Sequence, residues 1–295
     1  MASNIKAYFK LHLIVFIWGF TAVLGALIKL DYFSLTWYRM GLASLFLLLY
    51  ILWNPNQRKQ LLQWDLKTQA RYLLGGVIIA LHWIAFFYAI KVSNVSITLV
   101  SLSSGAFFTS LLEPVLFKRK IYIYEILLGL LILGGFFVLL KIEKIEFIGV
   151  YFALIAAFLS GLFSVINGIY VQNKDAIQLS FFQLLYGFLF LTFILLFTGK
   201  LQHLPMPSYT DWFYLLILAS ICTAYAFTQS INVMKHLSPY TVMLSINLEP
   251  VYGIILAVLV LGDKEKMSSN FYIGAAIILS IIVLDSIIKH QKTNK

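Results

Sequence analysis

The sequence predicts an all-α polytopic membrane protein, with ten transmembrane helices arranged as a 5+5 inverted-topology repeat. Three observations lead there: a composition too apolar for water, ten apolar runs of membrane-spanning length, and a correspondence between the two halves of the chain.

Of 295 residues, 61% are hydrophobic and 12% are charged, against about 25% charged in a soluble domain. The mean hydropathy is +0.90. The net charge of +10 could suggest nucleic acid, but the basic residues lie in short clusters between apolar runs. Such clusters set membrane orientation, so no nucleic-acid partner is expected. Cys222 is the one cysteine, which excludes an intramolecular disulfide and a cysteine-based metal site. The sequence has no phosphate-binding loop, dinucleotide fingerprint, zinc motif or nucleophile elbow. No cofactor and no enzymatic activity are expected.

About 20 apolar residues cross a hydrocarbon core of about 30 Å. The runs meeting this length are 11–29, 34–53, 72–91, 95–117, 122–140, 147–170, 178–198, 211–233, 239–261 and 270–288. Met1 to Lys10 carries two lysines and leads into the first run without a small-residue cleavage site, so that run reads as a retained span. The longest connection, Asn54 to Arg71, is polar and basic, with Pro55 and Trp64, and reads as an interfacial segment. With the first residues inside, 14 Lys and Arg fall on the cytoplasmic side and 7 on the other. This bias predicts a multi-pass protein of the cell or inner membrane with both termini cytoplasmic.

The halves align. Asp31 to Arg39 matches Asp175 to Gln183 at an offset of 144, Tyr88 to Asn94 matches Val233 to Pro239 at 145, and Gly129 matches Gly274 at 145. The expected units are residues 1–142 and 143–295. Five spans per unit is an odd number, so the second unit enters the membrane inverted, with a site near mid-membrane between the two. At the 145 offset, Glu249 pairs with Ser104 and Pro250 with Gly105. Leu-Glu-Pro-Val occurs at 112–115 and again at 248–251, 136 residues apart, so the two copies are out of register. Glu113 in the earlier copy reads as an interfacial ion pair with Lys118, Arg119 and Lys120. Ser93 and Ser238 read as helix N-caps, Pro239 following the second.

The strongest candidate site is Glu249 with Asn247, in the middle of the ninth run. A charge at that depth costs about 2.5–3.5 kcal/mol on insertion scales, so such a residue normally faces a cavity or partner. It could bind a substrate ammonium or take up a proton, or simply lock two helices as a neutral acid. Arg39, five residues into the second run, can snorkel or face the bundle. His82 and Trp83 lie near the centre of the third, where a histidine can relay protons or only satisfy packing. Ser101, Ser103 and Ser104 offer hydroxyls, though small polar residues in spans most often serve helix packing. Tyr225, Gln229 and Asn232 form an i, i+4, i+7 stripe on the eighth run and predict one face turned from lipid. Trp18 in the first run and Asn167 in the sixth are weaker candidates.

Several local patterns resemble one known family: Phe16-Ile-Trp-Gly-Phe-Thr21, Trp37-Tyr-Arg39, the corner Tyr88-Ala-Ile-Lys91, Leu248-Glu-Pro-Val-Tyr-Gly253, and Leu261-Gly-Asp-Lys-Glu265. With the ten-span inverted repeat, they resemble the drug/metabolite transporter (DMT) superfamily, specifically the EamA-like ten-helix permeases, over essentially the whole chain. The first half departs from the pattern, with Ser104-Gly105 where a proline is common. The resemblance implies a secondary transporter that exports or exchanges small metabolites, drugs or amino acids, with spans five and ten peripheral. The cavity would be lined by spans one, three, four, six, eight and nine, with Trp18, Trp83 and Tyr225 along its apolar part. The expected partners are a small-molecule substrate, the lipid bilayer and a coupled proton, and a homodimer is compatible with the reading. The alternatives are an intramembrane enzyme, which would need a third partner beside His82 and Glu249, and a non-transporting scaffold or sensor.

Overall fold

The computed structural model describes residues 2–61, 65–118, 127, 130–131, 147–277, 280–281 and 284. Among these residues every regular element is helical. The elements are α1 (Ala2–Leu27), α2 (Tyr32–Trp53), α3 (Pro55–Leu61), α4 (Leu66–Val92), α5 (Val95–Leu102) and α6 (Gly105–Phe117), then α7 (Phe147–Tyr170) and α8 (Ala176–Phe197). A longer eighth span follows as α9 (Tyr209–Ala219), a π-helical turn (Ser220–Tyr225) and α10 (Ala226–Val233). The described chain closes with α11 (Pro239–Ile246), α12 (Glu249–Leu261) and a helix over 269–277, α13. Eight stretches are long and apolar enough to cross a membrane, from Ile5–Leu27 to Pro239–Leu261. The expected span over 122–140 lies outside the described residues apart from three leucines, as does much of the one over 270–288.

The surface is inverted relative to a soluble protein. Phe197, Leu259 and Phe193 are 85%, 76% and 64% exposed, while Arg39, Gln183 and Asn167 are at most 2% exposed. Water would reverse that arrangement, whereas hydrocarbon favours it. The chain is a multi-pass integral membrane protein.

Caps set the helix starts. The Asp31 carboxylate accepts from the N–H groups of Phe33 and Ser34, and Asp175 accepts from those of Ile177 and Gln178. Asp65 starts α4 in the same way, and the hydroxyl and N–H of Thr68, with the N–H of Lys67, hold its carboxyl below the usual range. Between α4 and α5 the sequence reading needs correction. The N-cap is Asn94, whose side chain accepts from the Ile97 N–H, whereas Ser93 closes α4 and its hydroxyl donates back to the Ala89 carbonyl. Ser238 does cap α11, accepting from the Thr241 N–H ahead of Pro239.

These boundaries fix one repeat spacing. α2 recurs as α8, α5 as α11 and α6 as α12, each bound shifted by 144 residues. The 145 offset read from the Ser93–Ser238 match is therefore one too long, because those two serines hold different cap positions. The counterpart of Glu249 is Gly105, not Ser104.

Both middle spans break at equivalent places. In the second half Pro250 has no N–H to give Ile246, and α11 stops at that residue. In the first half the break between Leu102 and Gly105 forms without a proline. There the Ser103 hydroxyl bonds the Val100 carbonyl at 2.5 Å and the Ser104 hydroxyl the Ser101 carbonyl at 2.8 Å, competing with helical N–H groups for them. The two broken spans lie antiparallel, since α5 packs against α12 and α6 against α11.

Glycines allow the closest helix contacts. A Cβ on Gly19 of α1 would lie 2.9 Å from the Tyr252 Cβ on α12, and one on Gly76 of α4 would lie 2.4 Å from the Gln183 carbonyl oxygen on α8. Small residues at such crossings are how membrane helices approach.

Candidate functional site

The helices enclose a cavity of about 630 Å³, its open mouth included. Trp18 of α1, Arg39 of α2, His82 and Trp83 of α4, and Glu249 at the start of α12 line it. Serine hydroxyls from α7 and α10 and the rings of Phe86, Phe163 and Phe227 complete the wall. Leu102 at the end of α5 and Ile246 at the end of α11 also reach it, so both helix breaks open onto the cavity.

Arg39 is 2% exposed and is held from two directions. Its Nε donates to the Thr223 hydroxyl at 2.7 Å, and its Cζ lies 3.9 Å from the Trp83 ring centroid and 5.4 Å from that of Phe87. A desolvated cation–π contact contributes about 2 kcal/mol. Nη1 is buried with no hydrogen-bond partner among the described residues. A guanidinium so placed is a donor awaiting an acceptor, because leaving it unmade is costly at low dielectric.

Thr223 lies in the π-helical turn, and its own hydroxyl proton goes five residues back to the Leu218 carbonyl at 2.7 Å. This leaves the oxygen lone pairs for Arg39. One residue earlier, the Cys222 carbonyl accepts the Trp18 indole N–H at 3.0 Å. A π turn shifts the register and frees a carbonyl that an α-helix would use, and such turns concentrate at functional sites. Here it holds two cavity side chains. Thr223 went unnoticed in the sequence, where nothing in the periodicity marks a π turn.

Glu249 is 5% exposed and forms no hydrogen bond or ion pair among the described residues. It stands in the first turn of α12, at the positive end of the helix dipole. The Nδ1 of His82 lies 2.7 Å from the Ala156 carbonyl oxygen. A carbonyl only accepts, so Nδ1 carries the proton and Nε2 is left as an acceptor.

Five of the residues singled out from sequence, Glu249, His82, Trp83, Trp18 and Arg39, meet around this cavity. Others lie elsewhere. Asn247 is buried in the break before α12, its Nδ2 without a partner among the described residues. Ser104 is fully buried, its hydroxyl donating to the Ser101 carbonyl. Tyr225 is 42% exposed at the end of the π turn, so the polar stripe with Gln229 and Asn232 is not one inward face. Gln229 accepts from the Lys10 ammonium at 2.6 Å. Asn167 and Gln183, fully buried, bond each other at 2.6 Å. Glu113 is buried and accepts the Tyr240 N–H at 2.8 Å, while Arg119 and Lys120, expected beside it, lie outside the described residues.

A bundle of broken and unbroken membrane helices around a central cavity lined by ionisable and aromatic residues is the architecture of a polytopic membrane protein. The EamA-like transporter family matches residues 5–141 and again 147–286, so the chain belongs to that family, within the DMT superfamily. A solved crystal structure superposes with a TM-score of 0.71 over 97% of this chain and 98% of its own, at 16% identity, a likeness of fold alone. A search of curated proteins finds no match.

Proposed function

We propose that the protein is a secondary transporter that exports or exchanges a small amphipathic metabolite by alternating access around this cavity. Ten transmembrane helices would form the two inverted units, residues 1–142 and 143–295, with both termini on the cytoplasmic side of the cell membrane. The 144-residue spacing of elements supports this reading. So does the antiparallel pairing of the two broken spans, since equivalent spans in an inverted repeat run in opposite directions.

One observation carries the choice of solute. A guanidinium whose Nη1 has no hydrogen-bond partner among the described residues and the Glu249 carboxyl group line the same cavity, with aromatic rings around them. A solute with an anionic group for Arg39, a cationic group for Glu249 and an apolar body for the rings matches all three. Among metabolites, an amino acid has this form, and an exchangeable proton on Glu249 would couple its movement. Thermal-shift screening of the purified protein against an amino-acid and metabolite library tests the reading. Zwitterions with apolar side chains should raise the melting temperature by mass action, and uptake into vesicles should lose its pH dependence in Glu249→Gln. Unchanged transport with unchanged pH dependence in that variant would remove Glu249 from both roles.

A further inference from the structure

Two buried glutamates fasten the broken spans to each other at their ends. Glu265, just beyond α12, is 4% exposed. Its Oε1 accepts from the Val95 N–H at 3.1 Å, and its Oε2 accepts from the Ser96 N–H at 3.1 Å and the Ser96 hydroxyl at 3.2 Å. Glu113, in the last part of α6, is 8% exposed, and its Oε2 accepts from the Tyr240 N–H at 2.8 Å.

Val95 opens α5, and Tyr240 stands second in α11, the counterpart helix 144 residues on, where it corresponds to Ser96. N–H groups in a first helical turn have no intrahelical acceptor, and the dipole there is positive, so a carboxylate is a fitting partner. In each case the carboxylate comes from the other half of the chain. The two glutamates are not repeat counterparts of each other, since Glu113 corresponds to Ala257. The same connection has been built twice from different positions.

The ties lie at opposite ends of the antiparallel pair. One joins the start of α5 to the end of α12, and the other joins the end of α6 to the start of α11. A 23-residue span rises about 34 Å at 1.5 Å per residue, and the cavity and both breaks lie between. Each tie holds the tip of a hairpin, α4–α5 at one end and α10–α11 at the other. The eight-residue helix beyond each tip pivots on a break.

We propose that Glu265 and Glu113 are paired latches, each closing the cavity at its own end and each parting when the cavity opens there. Swinging a hairpin tip outward about its break separates the donor N–H groups from the carboxylate. While one latch is open the other holds the far end shut. The inference rests on the transporter reading for its purpose, but its test needs no solute.

The test places Ser230→Cys, on the cavity wall, in a Cys222→Ser background and labels it in sealed, oriented vesicles with a membrane-impermeant maleimide. Glu265→Ala should raise labelling from the α4–α5 side about ten-fold, the equivalent of about 1.4 kcal/mol, and leave the other side unchanged. Glu113→Ala should do the reverse. Equal increases from both sides in each variant, or no change in either, would overturn the latches. If an alanine variant fails to insert, Val95→Cys with Glu265→Cys, oxidised before labelling, closes that end covalently. Labelling from that side must then fall to the background of protein without the reporter, and labelling that persists there overturns the proposal as well. Failure here leaves the solute-binding reading intact, and a solute that does not bind leaves the latches intact.

Discussion

The Arg39 guanidinium lies over the Trp83 ring at 3.9 Å, with its Nε bonded to Thr223 and its Nη1 unpartnered. This arrangement fixes a positive charge deep in the bundle without neutralising it. The ring contact and the Thr223 bond leave Nη1 without a hydrogen-bond acceptor among the described residues. Glu249 places a carboxyl group on the same cavity wall, with no ion-pair contact between the two among the described residues.

Arg39→Lys should therefore fail although it keeps the charge. An ammonium is compact and strongly hydrated and cannot reproduce the stack and the Thr223 bond together. The expected result is at least about a ten-fold loss of solute affinity, the cost of one charged hydrogen bond of about 1.5–3 kcal/mol, with unchanged expression. Isothermal titration of the solute found in the thermal-shift screen measures it.

Thr223→Val removes the acceptor for Nε and should weaken solute binding about ten-fold, while Thr223→Ser restores it. The serine keeps the hydroxyl that both receives Arg39 and donates to Leu218. If valine and serine behave alike in the same titration, Thr223 does not position Arg39.

Pro250→Ala gives Ile246 an N–H to bond and should extend α11 into α12. Loss of the break should slow exchange while solute affinity changes less than about three-fold, because a helix-interior proline acts on backbone continuity, at about 3 kcal/mol. Exchange rates in proteoliposomes set beside equilibrium binding distinguish the two effects.

Gly76→Ala places a Cβ 2.4 Å from a backbone oxygen of α8. The helices must move apart, and overpacking of this kind costs about 1–3 kcal/mol. A lower melting temperature in detergent is expected, with any solute-induced increase retained.

Much of the fold was readable because hydrocarbon imposes simple rules. Run length gave the eight spans seen among the described residues, and Asp31 and Asp175 marked equivalent helix starts. Pro250 announced the second break through its missing N–H. The first break was harder to read, since Ser103 and Ser104 produce it through side-chain competition that is only clear once the backbone is known. The repeat register slipped by one because Ser93 and Ser238 look alike, while the caps that correspond are Asn94 and Ser238.

The site was readable where charge met apolar sequence, at Arg39, Glu249 and His82. It was not readable where the backbone departs from the α-helical period. The π turn carries Tyr225 out of its expected stripe and brings Thr223 to Arg39. Ser104 was chosen through the shifted register, and its hydroxyl donates to the Ser101 carbonyl. The roles of Glu113 and Glu265 depend on contacts 127 and 170 residues away in sequence, which local pattern does not reveal.

The most direct test of the two-charge cavity is solute counterflow in proteoliposomes, comparing the natural protein with Arg39→Gln and Glu249→Gln. A zwitterion that stabilises the natural protein should exchange rapidly, and each variant should lower its rate by at least about a hundred-fold, as removal of a buried charge partner worth about 3–5 kcal/mol implies. Full exchange in both variants would contradict the account.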